Sequence, residues 1–114
     1  MSEVVQVRRE GPVAIVTIDN PPVNALSNAV RQALLKEAQA LAADASVKAV
    51  VLACAGSTFS VGADVRELGV ATLPPTSAEV MSTIDSLNAV SVAAIQGQAL
   101  GGGLELALLC DFRG

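Results

Sequence analysis

The chain contains no histidine, tryptophan or tyrosine, and each absence narrows the chemistry open to it. Without histidine no Ser-His or Cys-His nucleophile pair can form within the chain, so acid–base chemistry falls to carboxylates. Aromatic residues make up 2% of the sequence and hydrophobic residues 52%, so Val, Leu, Ile and Ala must build the core, with Phe59 and Phe112 as its only rings. Such a core suits layered α/β packing, and 114 residues are enough for one compact domain.

Basic residues and cysteines are also scarce. The formal net charge is −4 and the seven Lys and Arg residues are scattered, so no patch can neutralise a run of phosphates, and we expect no nucleic-acid binding. Cys54 and Cys110 lie far apart in apolar sequence. Because no histidine or further cysteine accompanies them, we predict buried free thiols and no metal site.

Long hydrophobic runs are missing as well. No apolar stretch approaches the ~20 residues that span a bilayer, because Gln96, Gln98 and Glu105 interrupt the most hydrophobic third of the chain. The first four residues lack the basic and apolar blocks of a signal peptide. We therefore expect a cytoplasmic protein with no membrane partner.

The hydrophobic pattern predicts alternating strands and helices. The strands are expected at 4–8, 13–18, 49–53 and 91–95, and the first two form a hairpin. The helices are expected from the N-cap Ser27 to about 44, from the cap Asp64 to 68, from Thr76 to about 88, and over 104–110. In the first helix Val30 and Leu34 form an apolar stripe, and Arg31 belongs to the opposite, polar side.

The strand-to-helix junction at 94–107 carries three consecutive glycines. The glycines at 101–103 let the backbone approach a ligand, and they aim N–H groups of the first helical turn at a developing negative charge. Glu105 follows in that turn. The helix dipole stabilises its charged carboxylate, whereas dehydration by Leu104 and Leu106 is expected to destabilise it. A tight helix start with a well-placed charge explains the same spacing. A nucleotide-binding loop does not explain it, because the Lys-Ser/Thr pair of a P-loop does not follow the glycines and the G-x-G-x-x-G pattern is absent.

The junction at 58–68 repeats this design, with a strand, a glycine and an acidic residue that caps a short helix. The N–H of Ala63 is a second candidate donor, held in place by the Asp64 cap. Two backbone donors from separate helix starts are what an oxyanion hole for a thioester carbonyl requires. An ordinary N-cap accounts for Asp64 equally well.

In order and spacing, these junctions and the segment before the first helix resemble the crotonase (enoyl-CoA hydratase) family. The matching segments are NPPVNAL at 20–26, GADVREL at 62–68, AAIQG at 93–97 and GGGLELA at 101–107. The sequences of these segments are most similar to the hydratase domain of bifunctional and multifunctional fatty-acid oxidation enzymes. The resemblance implies an α/β fold, a partial crotonase (ClpP/crotonase-like) spiral of ββα units. Residues 1–114 would be the N-terminal part of one such domain, with the family's C-terminal half absent.

The resemblance also implies the roles of individual residues. The N–H groups of Ala63 and Gly102 would hold the thioester oxygen of a 2-enoyl-CoA, and Glu105 would position or deprotonate the water added across its double bond. The positions implied to bind the acyl-CoA thioester are Pro22, Val23, Ala63, Asp64, Val65, Arg66 and Gly102. Coenzyme A is part of the substrate, so no separate cofactor is implied. The family's trimer-based assemblies imply a homo-oligomer.

Two departures from the family pattern limit the expected activity. The family's hydratases use a second glutamate on a later loop rich in Gly and Pro, and this chain ends at Gly114 before such a loop. Ala89-Val90-Ser91 also stands where the family usually has Lys-Pro. We therefore expect an enzyme of the enoyl-CoA hydratase or isomerase type, and we expect this 114-residue chain to be weakly active or inactive.

The sequence leaves three alternatives to consider, two for the whole chain and one for Arg66. The same fold can serve as a non-catalytic acyl-CoA-binding or assembly module. A serine peptidase is a further candidate, since Clp-type peptidases are similar to crotonases in fold, but the absence of histidine argues against it. For Arg66, a solvated surface arginine is the alternative to a coenzyme A contact.

Overall fold

A computed structural model of the protein describes residues 3–67, 69 and 71–114. Its centre is a five-stranded sheet in which the strands follow one another in chain order. The strands are β1 (Val5–Glu10), β2 (Val13–Ile18), β3 (Ala49–Cys54), β4 (Val90–Ala93) and β5 (Phe112–Arg113). β1 and β2 form the predicted antiparallel hairpin, and each later strand runs parallel to the one before it. β5 is only two residues long, too short to leave a pattern in the sequence.

Three helices connect the parallel strands. They are α1 (Asn28–Ala42), α2 (Ser77–Asp85) and α3 (Gly102–Leu109). The predicted caps of α1 and α2 are confirmed, because Ser27 accepts from the N–H of Val30 at 3.3 Å and Thr76 accepts from that of Glu79 at 3.1 Å. A single turn of 3₁₀ helix over Val65–Glu67 lies between β3 and α2.

The helix boundaries differ from the prediction by up to three residues, most clearly at the end of α2 and at the start of α3. α2 ends at Asp85 because the hydroxyl of Ser86 bonds back to the Thr83 carbonyl at 2.7 Å, and the Leu87 N–H bonds three residues back, to Ile84. α3 begins at Gly102, two residues before the predicted start, because the glycines are themselves part of the first turn.

The core lies between the sheet and the helices. Alternate residues of β2 and β3 are buried on one face, and the buried stripe of α1, which includes Val30 and Leu34, packs with them. Phe59 is fully buried, whereas Phe112 is 63% exposed, so the prediction that Phe112 contributes to the core is wrong. The reason is register, since Phe112 pairs with Val92 on the face away from the helices.

Arg31 is buried, and the prediction that it lies on the polar side of α1 is wrong. Its guanidinium donates to backbone carbonyls of Leu26, Leu73 and Pro75 and to the carboxylate of Glu67. Because these acceptors satisfy the guanidinium, the cost of burying its charge is offset. Arg31 thereby fastens the segment after the first junction to α1.

Both cysteines are buried free thiols, as predicted. Burial raises the pKa of Cys54 to about 12, so the thiol stays protonated and unreactive at neutral pH. Among the residues that the structure describes, no helix is long and apolar enough to cross a membrane. The same ranges contain no group of three or more Cys, Asp or Glu side chains arranged to hold a metal ion.

We predict that Leu34→Ala lowers the free energy of unfolding by about 2–5 kcal/mol, because the leucine is buried against the sheet and the truncation enlarges a small apolar cavity of about 20 Å³ that it already lines. Urea denaturation measures the change. The matched control is Leu73→Ala, the same truncation at an exposed loop position, which should shift stability by no more than about 0.5 kcal/mol. Equal effects of the two variants would contradict the described packing.

Candidate active site

The two strand-to-helix junctions lie side by side at the carboxyl edge of the sheet. The first follows β3 and the second follows β4, its parallel neighbour. Between them the N–H of Phe59 donates to the Gln96 carbonyl and that of Leu100 to the Ser60 carbonyl, both at 2.9 Å. Ser60 and Ala99 also form an isolated parallel bridge. The structure therefore brings together the two segments that the sequence predicted to supply the two backbone donors.

Glycine is required at the closest points of this contact. An ideal Cβ on Gly97 or Gly103 would overlap the backbone of Ser57 or Ser60. A Cβ on Gly62 would come within 2.6 Å of the backbone nitrogen of Gly102, and its φ of +88° is in the region that only glycine adopts freely. The main chains of Gly62 and Gly102 therefore touch.

The peptide units at this contact have fixed directions. The carbonyl of Gly62 accepts from the N–H of Leu26 at 2.7 Å, so the Ala63 N–H, at the other side of the same trans peptide, points away from Leu26. The carbonyl of Gly101 accepts the first bond of α3, from Glu105, and this directs the Gly102 N–H out of the helix end. Within the described residues, neither the Ala63 nor the Gly102 N–H has a hydrogen-bond partner. Two free donors thus emerge from touching main chains.

The NPPVNAL segment forms the third wall of the site. Asn24 is only 2% exposed, and its side-chain amide donates to the Ala55 and Thr58 carbonyls at 2.8 Å each. Its φ of +54° is a left-handed conformation that asparagine tolerates better than most residues. The segment is therefore anchored to the loop that follows β3.

An open cleft of about 330 Å³ runs beside the first junction. The residues that line it are Asn20, Pro21, Pro22, Val23, Ala25, Val61, Ala63, Asp64, Val65 and Arg66. Apart from Gly102, every residue that the sequence resemblance assigned to acyl-CoA binding is in this set. Its wall is mostly apolar with one charged end, which is the usual composition of a small-molecule site.

The charged end of the cleft is an ion pair. Both carboxylate oxygens of Asp64 accept from the guanidinium of Arg66, at 2.6 and 3.0 Å, and one also accepts from the Arg66 backbone N–H at 2.9 Å. These hydrogen bonds lower the pKa of Asp64 to about 2. Asp64 caps the 3₁₀ turn as predicted, although the predicted end of that helix at Leu68 lies outside the described residues. Arg66 is mostly exposed, so its charge reaches solvent at the mouth of the cleft.

Glu105 lies in the first turn of α3, three residues after Gly102 and on the same side of the helix. Its side chain is exposed. The prediction that Leu104 and Leu106 form a dehydrating wall around it is wrong, because successive residues of a helix point in different directions. Leu106 is buried in the core, while Leu104 is exposed.

Three residues that support the site from beneath were not predicted to do so from the sequence. Asn24, Arg31 and Ser60 are buried and hydrogen-bonded, and they tie the loops around the cleft to one another. The only available signal was a polar residue inside an apolar or glycine-rich motif, which does not say what the side chain contacts.

The sequence profile of the enoyl-CoA hydratase/isomerase family matches residues 8–113. The chain belongs to this family. It is 45% identical over 101 residues to the peroxisomal bifunctional enzyme of Danio rerio, with 89% of this chain and 14% of that protein covered. It is 38% identical over 116 residues to the 2,3-dehydroadipyl-CoA hydratase of Escherichia coli, with 97% of this chain and 45% of that protein covered.

The fold is that of the same family. The structure of an enoyl-CoA hydratase/carnithine racemase from Magnetospirillum magneticum superimposes with a TM-score of 0.88 and 33% identity, covering 99% of this chain and 46% of that one. The predicted partial crotonase fold and the resemblance to bifunctional fatty-acid oxidation enzymes are therefore confirmed. The chain spans less than half the length of each of these three family members.

We predict that Gly62→Ala destabilises the protein more than Gly56→Ala. Both glycines have a positive φ, +88° and +81°, so each alanine carries a backbone strain of about 1–2 kcal/mol. Only at Gly62 does the added methyl press on the Gly102 nitrogen, since nothing lies within 4 Å of the corresponding position at Gly56. Urea denaturation of both variants gives the difference, and equal losses would show that the two junctions do not touch.

We also predict that the stabilising effect of Asp64 is lost in acid. Because its pKa is lowered in the folded state, from 3.8 to about 2, the contribution is complete above the unfolded pKa and disappears as the pH falls through the folded one. Urea midpoints of the wild type and of Asp64→Asn should therefore converge between about pH 5 and about pH 2. A difference that stays constant over this range would contradict the ion pair with Arg66.

Proposed function

We propose that this chain binds acyl-CoA thioesters and activates the 2-enoyl group for addition of water. The observation that carries the proposal is the contact of the Gly62 and Gly102 main chains, which leaves the N–H groups of Ala63 and Gly102 free and adjacent. Membership of the enoyl-CoA hydratase/isomerase family supports it.

The two amides would act on the thioester carbonyl. When water attacks the third carbon of a 2-enoyl thioester, electron density moves onto the carbonyl oxygen and gives it enolate character. Donors fixed before the reaction stabilise that charge, and removing one such donor typically costs about 3 kcal/mol, or roughly 100-fold or more in rate. In this chain the donors would be the N–H groups of Ala63 and Gly102.

Glu105 would position the attacking water or take its proton. It lies one helical turn beyond Gly102, and its side chain is exposed. Addition also requires delivery of a proton to the second carbon. Because these 114 residues contain only one of the two glutamates that the family resemblance implies, we propose that the chain alone hydrates its substrate slowly.

The cleft would hold the coenzyme A part of the substrate. Pro22, Val23 and Val65 supply apolar contacts for the pantetheine arm, and the exposed guanidinium of Arg66 supplies a positive charge for the nucleotide phosphates. The thioester would then lie at Ala63, which lines the cleft. We further propose a trimer-based homo-oligomer in the cytoplasm, as the sequence predicted.

A non-catalytic acyl-CoA-binding or assembly module is the second candidate. It is favoured by the position of Glu105, whose carboxylate is exposed and has no hydrogen-bond partner among the described residues. A catalytic carboxylate is normally oriented by its neighbours.

We predict that Glu105→Gln lowers hydration of a short 2-enoyl-CoA by roughly 100-fold or more while the dissociation constant for the CoA thioester changes little, because the carboxylate handles the water and not the substrate. Loss of enoyl absorbance measures hydration, and calorimetry measures binding. Glu37→Gln on α1 is the matched control and should leave both values unchanged.

Other outcomes separate the two candidates. Unchanged binding with no turnover in the wild type or in Glu105→Gln would support the binding module. Rapid hydration by the wild-type chain that persists in Glu105→Gln would refute the role of this residue. Absence of CoA-thioester binding would refute both candidates.

A further inference from the structure

A buried serine hydroxyl connects the backbone segments that carry the two candidate amides. Ser60 is fully buried, and its hydroxyl donates to the Asn24 carbonyl at 2.7 Å and accepts from the Gly62 N–H at 3.1 Å. Its backbone carbonyl accepts from the Leu100 N–H at 2.9 Å and lies against Gly103. One residue therefore contacts the NPPVNAL segment, the first junction and the start of α3.

The hydroxyl fixes the direction of the peptide before Ala63. Glycine has more rotational freedom than any other residue, and Gly62 has a positive φ, so its conformation must be set by its partners. Ser60 holds the Gly62 N–H, and the Leu26 N–H holds the Gly62 carbonyl at 2.7 Å. With both polar groups of Gly62 held, the planar peptide that follows has one orientation, and the Ala63 N–H has one direction.

The partner that accepts the Ser60 hydroxyl is itself rigid. The Asn24 side chain donates to two carbonyls after β3 and accepts from the Asn20 N–H at 2.9 Å. Its backbone N–H bonds to the Asn20 carbonyl at 2.8 Å. The serine hydroxyl is therefore directed by a fixed acceptor, which leaves its lone pairs aimed at Gly62.

We propose that Ser60 is the positioning residue of the site, whose hydroxyl directs the Ala63 amide and whose carbonyl holds the start of α3, so that the amides of Ala63 and Gly102 converge on one thioester oxygen. This inference rests on the proposed function. Ser60 acts through the backbone, since it is fully buried beneath the cleft and is not among the residues that line it.

The test compares Ser60→Ala with Ser91→Ala. Ser91 is also buried, and its hydroxyl also makes two hydrogen bonds, donating to the Asp111 carboxylate at 3.3 Å and accepting from the Asp111 N–H at 2.9 Å. It belongs to β4 and is not part of the cleft. The two variants therefore lose the same group at similar burial, and only one loses it beneath the candidate amides.

The probe is 4-(dimethylamino)cinnamoyl-CoA, a conjugated thioester whose absorption moves to longer wavelength when its carbonyl oxygen accepts hydrogen bonds. The readout is the band position of the fully bound probe, which does not depend on turnover or on a loss of stability. We expect a long-wavelength shift in the wild type and in Ser91→Ala, and loss of most of that shift in Ser60→Ala. The dissociation constant in Ser60→Ala should rise by no more than about tenfold, the value of one hydrogen bond.

The outcomes separate this inference from the proposed function. No shift in the wild type overturns the proposed function and this inference with it. A shift that is equal in the wild type and in Ser60→Ala overturns the role of Ser60 alone, as does an equal loss in Ser60→Ala and Ser91→Ala. If Ser60→Ala does not fold, Ser60→Cys replaces it, because the thiol is similar in size and a weaker hydrogen-bonding group. The expected shift is then intermediate, and a full shift contradicts the proposal.

Discussion

The main-chain contact between Gly62 and Gly102 is the constraint on which the candidate site depends. It exists because the loops after β3 and β4 leave the same edge of a parallel sheet and are joined by hydrogen bonds from Phe59 and Leu100. Residue 62 must be glycine for the contact to form, since a Cβ on Gly62 would displace the Gly102 nitrogen. The two free amides are a consequence of that packing, and no side chain is needed to create them.

Polar groups are buried chiefly where they support this contact. Four of the five buried polar or charged residues in the described ranges surround the site, namely Asn24, Arg31, Ser60 and Asp64. Burial of such groups costs free energy unless each one is hydrogen-bonded, and in the described residues no buried side-chain nitrogen or oxygen lacks a partner. The apolar core stabilises the sheet and helices, whereas this network determines the shape of the loops.

Two apolar surfaces stay open on the described chain. A row of paired residues, Ile15, Val51, Val92 and Phe112, crosses the sheet on the face away from the helices, and Phe112 at its end is mostly exposed. Leu104 and Leu108 are exposed one turn apart on α3. Exposed apolar surface of this kind favours association, which fits the predicted homo-oligomer.

Much of the fold followed from the sequence because hydrophobic period, turn residues and caps act locally. The hairpin, α1 with its Ser27 cap, the strand β3 and the order of the elements were all predictable in this way. The resemblance to the family came from four sequence segments in order, and it also named Ala63, Gly102 and Glu105. What those motifs leave open is where the side chains between them point.

Only the tertiary structure decided which polar residues are buried and which rings are exposed. Arg31 has the sequence position of a solvent-facing residue on α1, yet it is buried because the carbonyls of Leu73 and Pro75, which are distant in the chain, accept from its guanidinium. Phe112 is apolar, yet it is exposed because sheet register turns it away from the helices. Likewise Ser60 is an ordinary serine in the sequence, and its two hydroxyl bonds and its contact with α3 exist only once both junctions have come together. Local sequence patterns determine the helices and strands, whereas contacts between residues distant in the chain depend on how those helices and strands pack.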